Sequence, residues 1–290
     1  MPELPEVETV ARGLDKRVRG DVIESVWLGT KPQPLKSSAA EIAGALESAR
    51  IARVRRVGKH IVFDLEKKGL TRGRKRDRRS SVNARAGMLA PTSGSQWIVH
   101  LGMTGRMLVC TPDEAIEKHT HGIARLKSGK EIRFVDPRRF GRLSITQAFA
   151  APGAEPLLID AQHFVNLFRG RNTPIKSALL NQKLLSGVGN IYADESLFRA
   201  GVRPRRRAAS LTREDLRRLH CVVREVLEEA IALGGSSVSD YVDADGKEGF
   251  FQLQHRVYGR EGEPCLACKT PVKRVVIAGR SSHYCPKCQK

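Results

Sequence analysis

The chain changes its hydrophobic rhythm near its middle. From Pro5 to about Arg19, apolar residues recur at three- and four-residue steps (Val7, Val10, Ala11, Leu14, Val18) until Gly20, which predicts a helix with one buried face. Beyond it the period shortens. Val22–Leu28 and Ile51–Val57 alternate or cluster apolar residues as strands do, with a polar, helix-like stretch near Ala39–Glu47 between them. Ile61–Leu65, Gln96–Leu101, Ile123–Leu126 and Glu131–Val135 continue the strand pattern, and Val57-Gly58-Lys59-His60 reads as a tight turn with Lys59 at a hairpin tip. After Ala151–Pro156, a linker-like break, helical periodicity returns over 161–168, 175–185 and 191–200, and then from the Ser210/Thr212 region to Gly234-Gly235. A strand-rich half therefore precedes a helical half. Cys221 is expected on the apolar side of the last helix as a buried structural thiol, and Cys110 at a strand end is expected to be equally inert.

Charge narrows the class. With 51 Lys and Arg against 31 Asp and Glu over 290 residues, the formal net charge is +20, a balance that favours polyanions. Nucleic acid fits best; an anionic membrane surface is the other candidate, but no apolar run approaches the ~18–20 residues of a spanning helix. The N-terminus carries no signal-peptide pattern, so an intracellular protein is expected, one whose six cysteines need a role other than disulfides. Lys67–Arg79 holds eight positive charges and one negative. This stretch, about 67–95, reads as a mobile loop inserted in a sheet, either adding non-specific phosphate contacts or simply solvated.

Candidate chemistry begins at the first residues. Removal of Met1 would leave Pro2 as a free secondary amine with a pKa near ~8, a nucleophile that gives an iminium directly at a sugar or carbonyl carbon. Glu3 beside it can move protons, and Glu6 and Glu8 add carboxylates, although a Pro-punctuated leader into an amphipathic helix explains the same residues. Met103, in a Gly102–Gly105 turn, is either a wedge for a base stack or a side chain tucked under a strand. Arg138 and Phe140 share a Pro/Gly-bounded loop, joining donors for base edges or phosphates to a ring that stacks. Together the three would fill the hole left by a base swung out of a duplex. His119 and His121, lacking a third ligand, suit phosphate contact or simple exposure.

In the helical half, Gly187-Val188-Gly189-Asn190 makes a sharp turn between two helices, with Lys176 on the first and Asn190 as N-cap of the second; its exposed N–H groups suit a phosphate. Residues 236–251 read as disordered or as a lid. Cys265-x2-Cys268, sixteen residues, then Cys285-x2-Cys288 is four-cysteine zinc spacing. Four thiolates leave no open position, so one structural Zn2+ is expected, with Arg280 at the tip of the intervening hairpin as a minor-groove or phosphate probe.

From Pro2-Glu3-Leu4-Pro5-Glu6-Val7-Glu8 to the terminal cysteines, the chain resembles the bacterial formamidopyrimidine-DNA glycosylase family, outside the basic insert at about 67–95. The resemblance implies an α+β fold: an N-terminal catalytic β-sandwich domain flanked by helices (1–150), then a helix–two-turn–helix DNA-binding domain (151–290) that ends in a zinc finger (256–290). It implies a monomeric, cytoplasmic, nucleoid-associated repair enzyme that excises oxidised purines from double-stranded DNA and cleaves the abasic strand. On matching positions, Pro2 is the Schiff-base nucleophile and Glu3 its acid/base partner. Lys59 assists at the lesion phosphate and in β-elimination, and Arg280 in δ-elimination. Met103, Arg138 and Phe140 fill the void, Arg138 facing the orphaned cytosine. His119, Arg171, Lys176 and Asn190 contact the DNA backbone, and 236–251 caps the lesion. Two rivals stay open: an endonuclease VIII type directed at oxidised pyrimidines, and a non-catalytic damage-binding protein.

Overall fold

The structure, a computed structural model, describes residues 1–31, 33–67, 94–237 and 241–290. The N-terminal pattern becomes α1 (Leu4–Val18), which buries Leu4, Val7, Val10, Ala11, Leu14 and Val18 along one stripe. A capping box opens it, with the Glu3 N–H donating to the Glu6 carboxylate at 2.7 Å.

Eight strands follow: β1 (Ile23–Leu28), β2 (Arg50–Val57), β3 (His60–Glu66), β4 (Gln96–His100), β5 (Arg106–Cys110), β6 (Thr120–Leu126), β7 (Glu131–Val135) and β8 (Arg142–Thr146). They form two antiparallel four-stranded sheets, ordered β1-β6-β7-β5 and β2-β3-β4-β8. The sheets share one core, in which Phe63, Trp97 and Val99 of one meet Met107, Ile132 and Phe134 of the other, together with α1 and with Ile42 and Leu46 of α2 (Ala39–Leu46). Trp97 lies against Phe63, whereas Trp27 on strand β1 is half exposed. The basic insert falls almost wholly outside the described residues; its flanks, Leu65 N–H donating to Ser95 at 3.0 Å, show that it joins neighbouring strands.

A second core gathers α3 (Ala161–Phe168), α4 (Ile175–Leu179), α5 (Asn190–Arg199) and α6 (Arg213–Ala232) around Phe164, Phe168, Tyr192, Leu219 and Leu227. The helix expected over 175–185 stops at Leu179. Asn181 turns the chain there, its carbonyl accepting from Leu184 N–H at 2.8 Å and its side chain from Lys183 N–H at 3.0 Å. Cys221 is exposed, contrary to expectation. The buried stripe of α6 runs through Leu216, Leu219, His220 and Val223, and His220 bonds the Ile159 carbonyl at 2.8 Å. Cys110 is buried. Glu195 accepts the N–H groups of Arg256, Val257 and Tyr258 at 2.8–2.9 Å, anchoring the chain as it enters the last hairpin, β9 (Lys273–Ile277) and β10 (Arg280–Tyr284). Among the described residues, no helix is long and apolar enough to cross a membrane.

Candidate active site

Helix α1 starts in one core and ends in the other: Leu4 packs among the helical residues, and Val7 onward joins the sheets. Pro2 and Glu3 are buried at that junction. Two glycines cut their seat. Gly187 takes φ 95°, and a Cβ there would lie 2.9 Å from the Leu4 Cβ; a Cβ on Gly189 would lie 2.1 Å from the Glu3 carboxyl carbon. The absent side chains let Leu4 N–H donate to the Gly187 carbonyl at 3.0 Å and Glu3 Oε1 accept the Ile191 N–H at 3.2 Å. A carboxylate on the N-terminus of α5 is favourably placed in the helix field. The turn therefore does not offer all its N–H groups to a phosphate, because Glu3 already holds one. Gly189, not Asn190, is the N-cap; Asn190 opens the helix and donates from Nδ2 to Ser281 Oγ at 3.2 Å.

Electrostatics tie Glu3 to two further elements. Burial pushes its carboxyl up to about 7, against the pull of the Lys59 ammonium and with a further push from Glu6. Burial lowers the Lys59 pKa; Glu3 and Glu6 oppose that shift, and Arg280 adds to it. A carboxyl near 7 holds its acid and base forms in comparable amounts at neutral pH, which suits a group that must both give and take a proton. Burial raises Glu6 as well, opposed by the hydrogen bonds it accepts from Tyr192 Oη and from Ser236 N–H, the latter at 2.8 Å.

Met103, Arg138 and Phe140 converge at one edge of the β2-β3-β4-β8 sheet, close to Lys59, since His60 is paired with His100 and His100 with Arg142 across it. The Met103 and Phe140 side chains are 39% and 53% exposed, and the Arg138 guanidinium lies over the Phe140 ring at 5.1 Å. Their backbones are fixed by Asp136, fully buried, whose carboxylate accepts from Thr104 Oγ1 at 2.5 Å and from Gly141 N–H at 2.7 Å. His100 Nδ1 accepts the Gly102 N–H at 3.1 Å; burial, with His60 and Arg142 nearby, lowers its pKa to about 4 and keeps it a neutral acceptor.

The other nominated residues divide. His119 is exposed beside this loop, its carbonyl accepting the Asp136 N–H at 2.9 Å. His121 is buried against the Asp136 carbonyl at 3.0 Å rather than exposed. Arg171 stands apart on the exposed link between α3 and α4, its Nε donating to the Leu167 carbonyl. Lys176, expected at the DNA backbone, is fully buried in the free protein and ion-paired with Asp194 at 2.7 Å.

The four zinc-spaced cysteines place their sulfurs within 4.8 Å of one another. Sulfur–sulfur separations of 3.9 Å (Cys265–Cys288) and 3.4 Å (Cys268–Cys285) bracket the ~3.8 Å edge of a tetrahedron with ~2.3 Å zinc–sulfur bonds. The donor set fits one structural zinc, which would fix the hairpin carrying Arg280.

Residues 1–143 match the Formamidopyrimidine-DNA glycosylase N-terminal domain, residues 152–242 the Formamidopyrimidine-DNA glycosylase H2TH domain, and residues 262–290 the zinc finger found in FPG and IleRS. The chain belongs to the formamidopyrimidine-DNA glycosylase family. The formamidopyrimidine-DNA glycosylase of Solibacter usitatus is 41% identical over 295 residues, with 100% of each chain covered. That of Thioalkalivibrio sulfidiphilus is 40% identical over 299 residues, again with 100% of each covered. Among solved structures, a Lactococcus lactis FPG mutant in complex with Fapy-dG containing DNA superposes with a TM-score of 0.84 at 30% identity, covering 100% of both chains. The MutM (FPG) protein of Thermus thermophilus does so at 0.80 and 39%, covering 99% of this chain and 98% of that one. Wild-type Lactococcus lactis FPG has also been solved with an oxidised pyrimidine containing DNA, at a TM-score of 0.82 and 30% identity over 100% of both chains.

Within this formamidopyrimidine-DNA glycosylase family member, sequence reading missed Asp136 and Asp194. Each is a buried carboxylate that organises a nominated residue without being one. Asp136 carried a signal, since an aspartate opening a Pro-containing loop often accepts backbone N–H groups; Asp194, mid-helix, carried none.

Proposed function

We propose that the protein is a bifunctional DNA glycosylase and AP lyase that removes oxidised purines, 8-oxoguanine and formamidopyrimidines, from double-stranded DNA in base excision repair. The observation that carries this reading is the buried Glu3 carboxyl, raised to about 7, seated beside Pro2 and within the field of Lys59. Once Met1 is removed, the Pro2 amine attacks C1′: the N–C1′ bond forms, the bond to the base breaks with the amine's N–H proton passing to the departing base, and protonation of the ring oxygen by Glu3 opens the sugar to an iminium. Loss of the C2′ proton then expels the 3′ phosphate, with Lys59 steadying the lesion phosphate, and a second elimination beside Arg280 expels the 5′ phosphate.

Met103, Phe140 and Arg138 occupy the space of the extruded base, at a cost of a few kcal/mol in stacking that phosphate contacts from His119, Asn190 and Arg171 help to meet. Residues 1–150 form the catalytic domain, which carries Pro2, Glu3, Lys59 and the void-filling residues, and 151–290 form the DNA-binding domain, whose finger over 256–290 brings Arg280 to the site. The protein acts as a monomer on the cytoplasmic nucleoid. The capping role falls to residues 236–251, of which 236–237 and 241–251 lie among the described residues, with the Tyr241 hydroxyl bonded to the Glu6 and Gly234 carbonyls at 3.3 and 3.1 Å.

Borohydride trapping tests this reading with two duplexes, one carrying 8-oxoguanine opposite cytosine and one a dihydrouracil-type base, followed by mass mapping. An adduct on Pro2 with the purine duplex is expected. An adduct with the pyrimidine duplex alone moves the substrate class, and binding without an adduct leaves a damage-binding protein.

A further inference from the structure

Lys176 is among the largest fully buried side chains of the protein. Its ammonium pairs with Asp194 at 2.7 Å and donates to the Ser281 carbonyl. Asp194 Oδ2 in turn accepts the His283 N–H at 2.9 Å and meets His283 Nδ1 at 3.2 Å. Three elements, α4, α5 and β10, thus close on one ion pair. Burying two charges costs several kcal/mol per ion unless geometry and further hydrogen bonds compensate, so such a pair is a poor way merely to fill space. Here the compensating bonds fall on Ser281 and His283, the residues that follow Arg280 along β10.

A second set of contacts ties the same strand to the same helix. Rings stack edge to face or tilted from Tyr192 to Phe251 (5.4 Å), His255 (5.6 Å), Tyr258 (5.5 Å) and His283 (5.2 Å). Tyr192 begins this ladder on α5 with its hydroxyl on Glu6, and His283 ends it on Asp194, also of α5. Asn190, at the start of α5, adds its bond to Ser281.

We propose that Asp194, with Lys176 as its counter-ion, is a positioning residue that clamps the 280–284 strand of the zinc hairpin onto α5, so that Arg280 faces the Glu3 and Lys59 end of the site. Lys176 acts through this clamp and not through a DNA phosphate. Only the catalytic readout below rests on the glycosylase and lyase reading.

The zinc-loaded full chain is compared with Lys176→Met, Asp194→Asn and the double variant Lys176→Met/Asp194→Leu. The double variant removes both charges, an exchange for apolar groups that is often neutral for folding, and it decides the matter if Asp194→Asn does not fold. Duplex affinity is first measured against salt. Lys176→Met keeps the wild-type slope of log affinity on log salt; a slope smaller by about one unit would show a phosphate contact and overturn the proposal. Hydrogen exchange is read next. Amides of 280–284 exchange about tenfold faster or more in Asp194→Asn and in the double variant, with zinc still at one per chain, as expected for loss of bonds to a charged group. Unchanged exchange overturns the clamp. On a preformed abasic duplex, the ratio of δ- to β-elimination products falls in the same variants while trapping at Pro2 persists; an unchanged ratio in a folded variant refutes positioning of Arg280. Should wild type trap nothing, the proposed activity fails, and slope and exchange still decide the clamp.

Discussion

Glu3 and Phe140 lie at the two ends of one candidate site, yet the first is 5% exposed and the second 53%. At the Glu3 end the functional side chains are themselves enclosed, and enclosure moves their proton affinities: Glu3 up, Lys59 down. At the Phe140 end the backbone is enclosed and the side chains are not, because Asp136 and His100 hold the two loops from beneath while Met103, Arg138 and Phe140 stand in solvent. The difference follows from the tasks. A proton carrier needs a dry setting before the substrate arrives, whereas a wedge finds its dry setting only inside the duplex.

Three substitutions test that contrast. Glu3→Gln has the largest effect: single-turnover base excision falls on the order of 10^2- to 10^4-fold, while affinity for a duplex holding an uncleavable abasic analogue stays near wild type. A parallel loss of affinity would mean that the two ends are not separable.

The same substitution acts oppositely on stability. Glu3 titrates about 7 when folded against 4.5 as its ordinary value, so its contribution is present below 4.5 and is lost as pH rises through 7. By pH 8 the buried charge costs roughly 3 kcal/mol, and urea unfolding should find Glu3→Gln more stable than wild type by about that amount, with the gap narrowing toward pH 5. A gap independent of pH would show that burial does not set the Glu3 titration.

Asp136→Ala strips partners from Thr104 and from the Gly141 N–H, a loss of about 2–3 kcal/mol in unfolding free energy, with weaker unstacking seen as lower fluorescence from 2-aminopurine beside the lesion. Phe140→Ala is the mildest. Duplex binding weakens by about 1–3 kcal/mol with stability within roughly 0.5 kcal/mol of wild type, since the ring is 53% exposed and its contact with the Arg138 guanidinium is itself on the surface. Equal effects of these last two on stability would erase the distinction between a held backbone and a free side chain.

What the sequence made legible was local. The α1 stripe from Val7 to Val18, the strand alternation and the cysteine spacing each depend on neighbours a few residues away, and each appears in the structure. The Gly187–Gly189 turn was visible as a turn, but not the reason for its glycines, because the carboxyl that fills their space comes from the opposite end of the chain. Lys176 read as a DNA-backbone contact for the same reason: a lysine on a short helix shows no sign of the aspartate on another helix that neutralises it. Cys221 and His220 show how fine the limit is, since a shift of one residue turns the helix by ~100° and exchanges the buried position for the exposed one.

The division into two cores also gives each half its own optical label. Both tryptophans, Trp27 and Trp97, belong to the sheets, and all four tyrosines lie beyond residue 190: Tyr192, Tyr241, Tyr258 and Tyr284. Tyr241 alone reaches back into the sheet core. Tryptophan emission during denaturation therefore follows the sandwich through Trp97, while tyrosine emission, quenched by transfer to tryptophan only as long as the halves stay docked, brightens when they part. A single fluorimeter trace at two excitation wavelengths separates undocking of the halves from melting of either one.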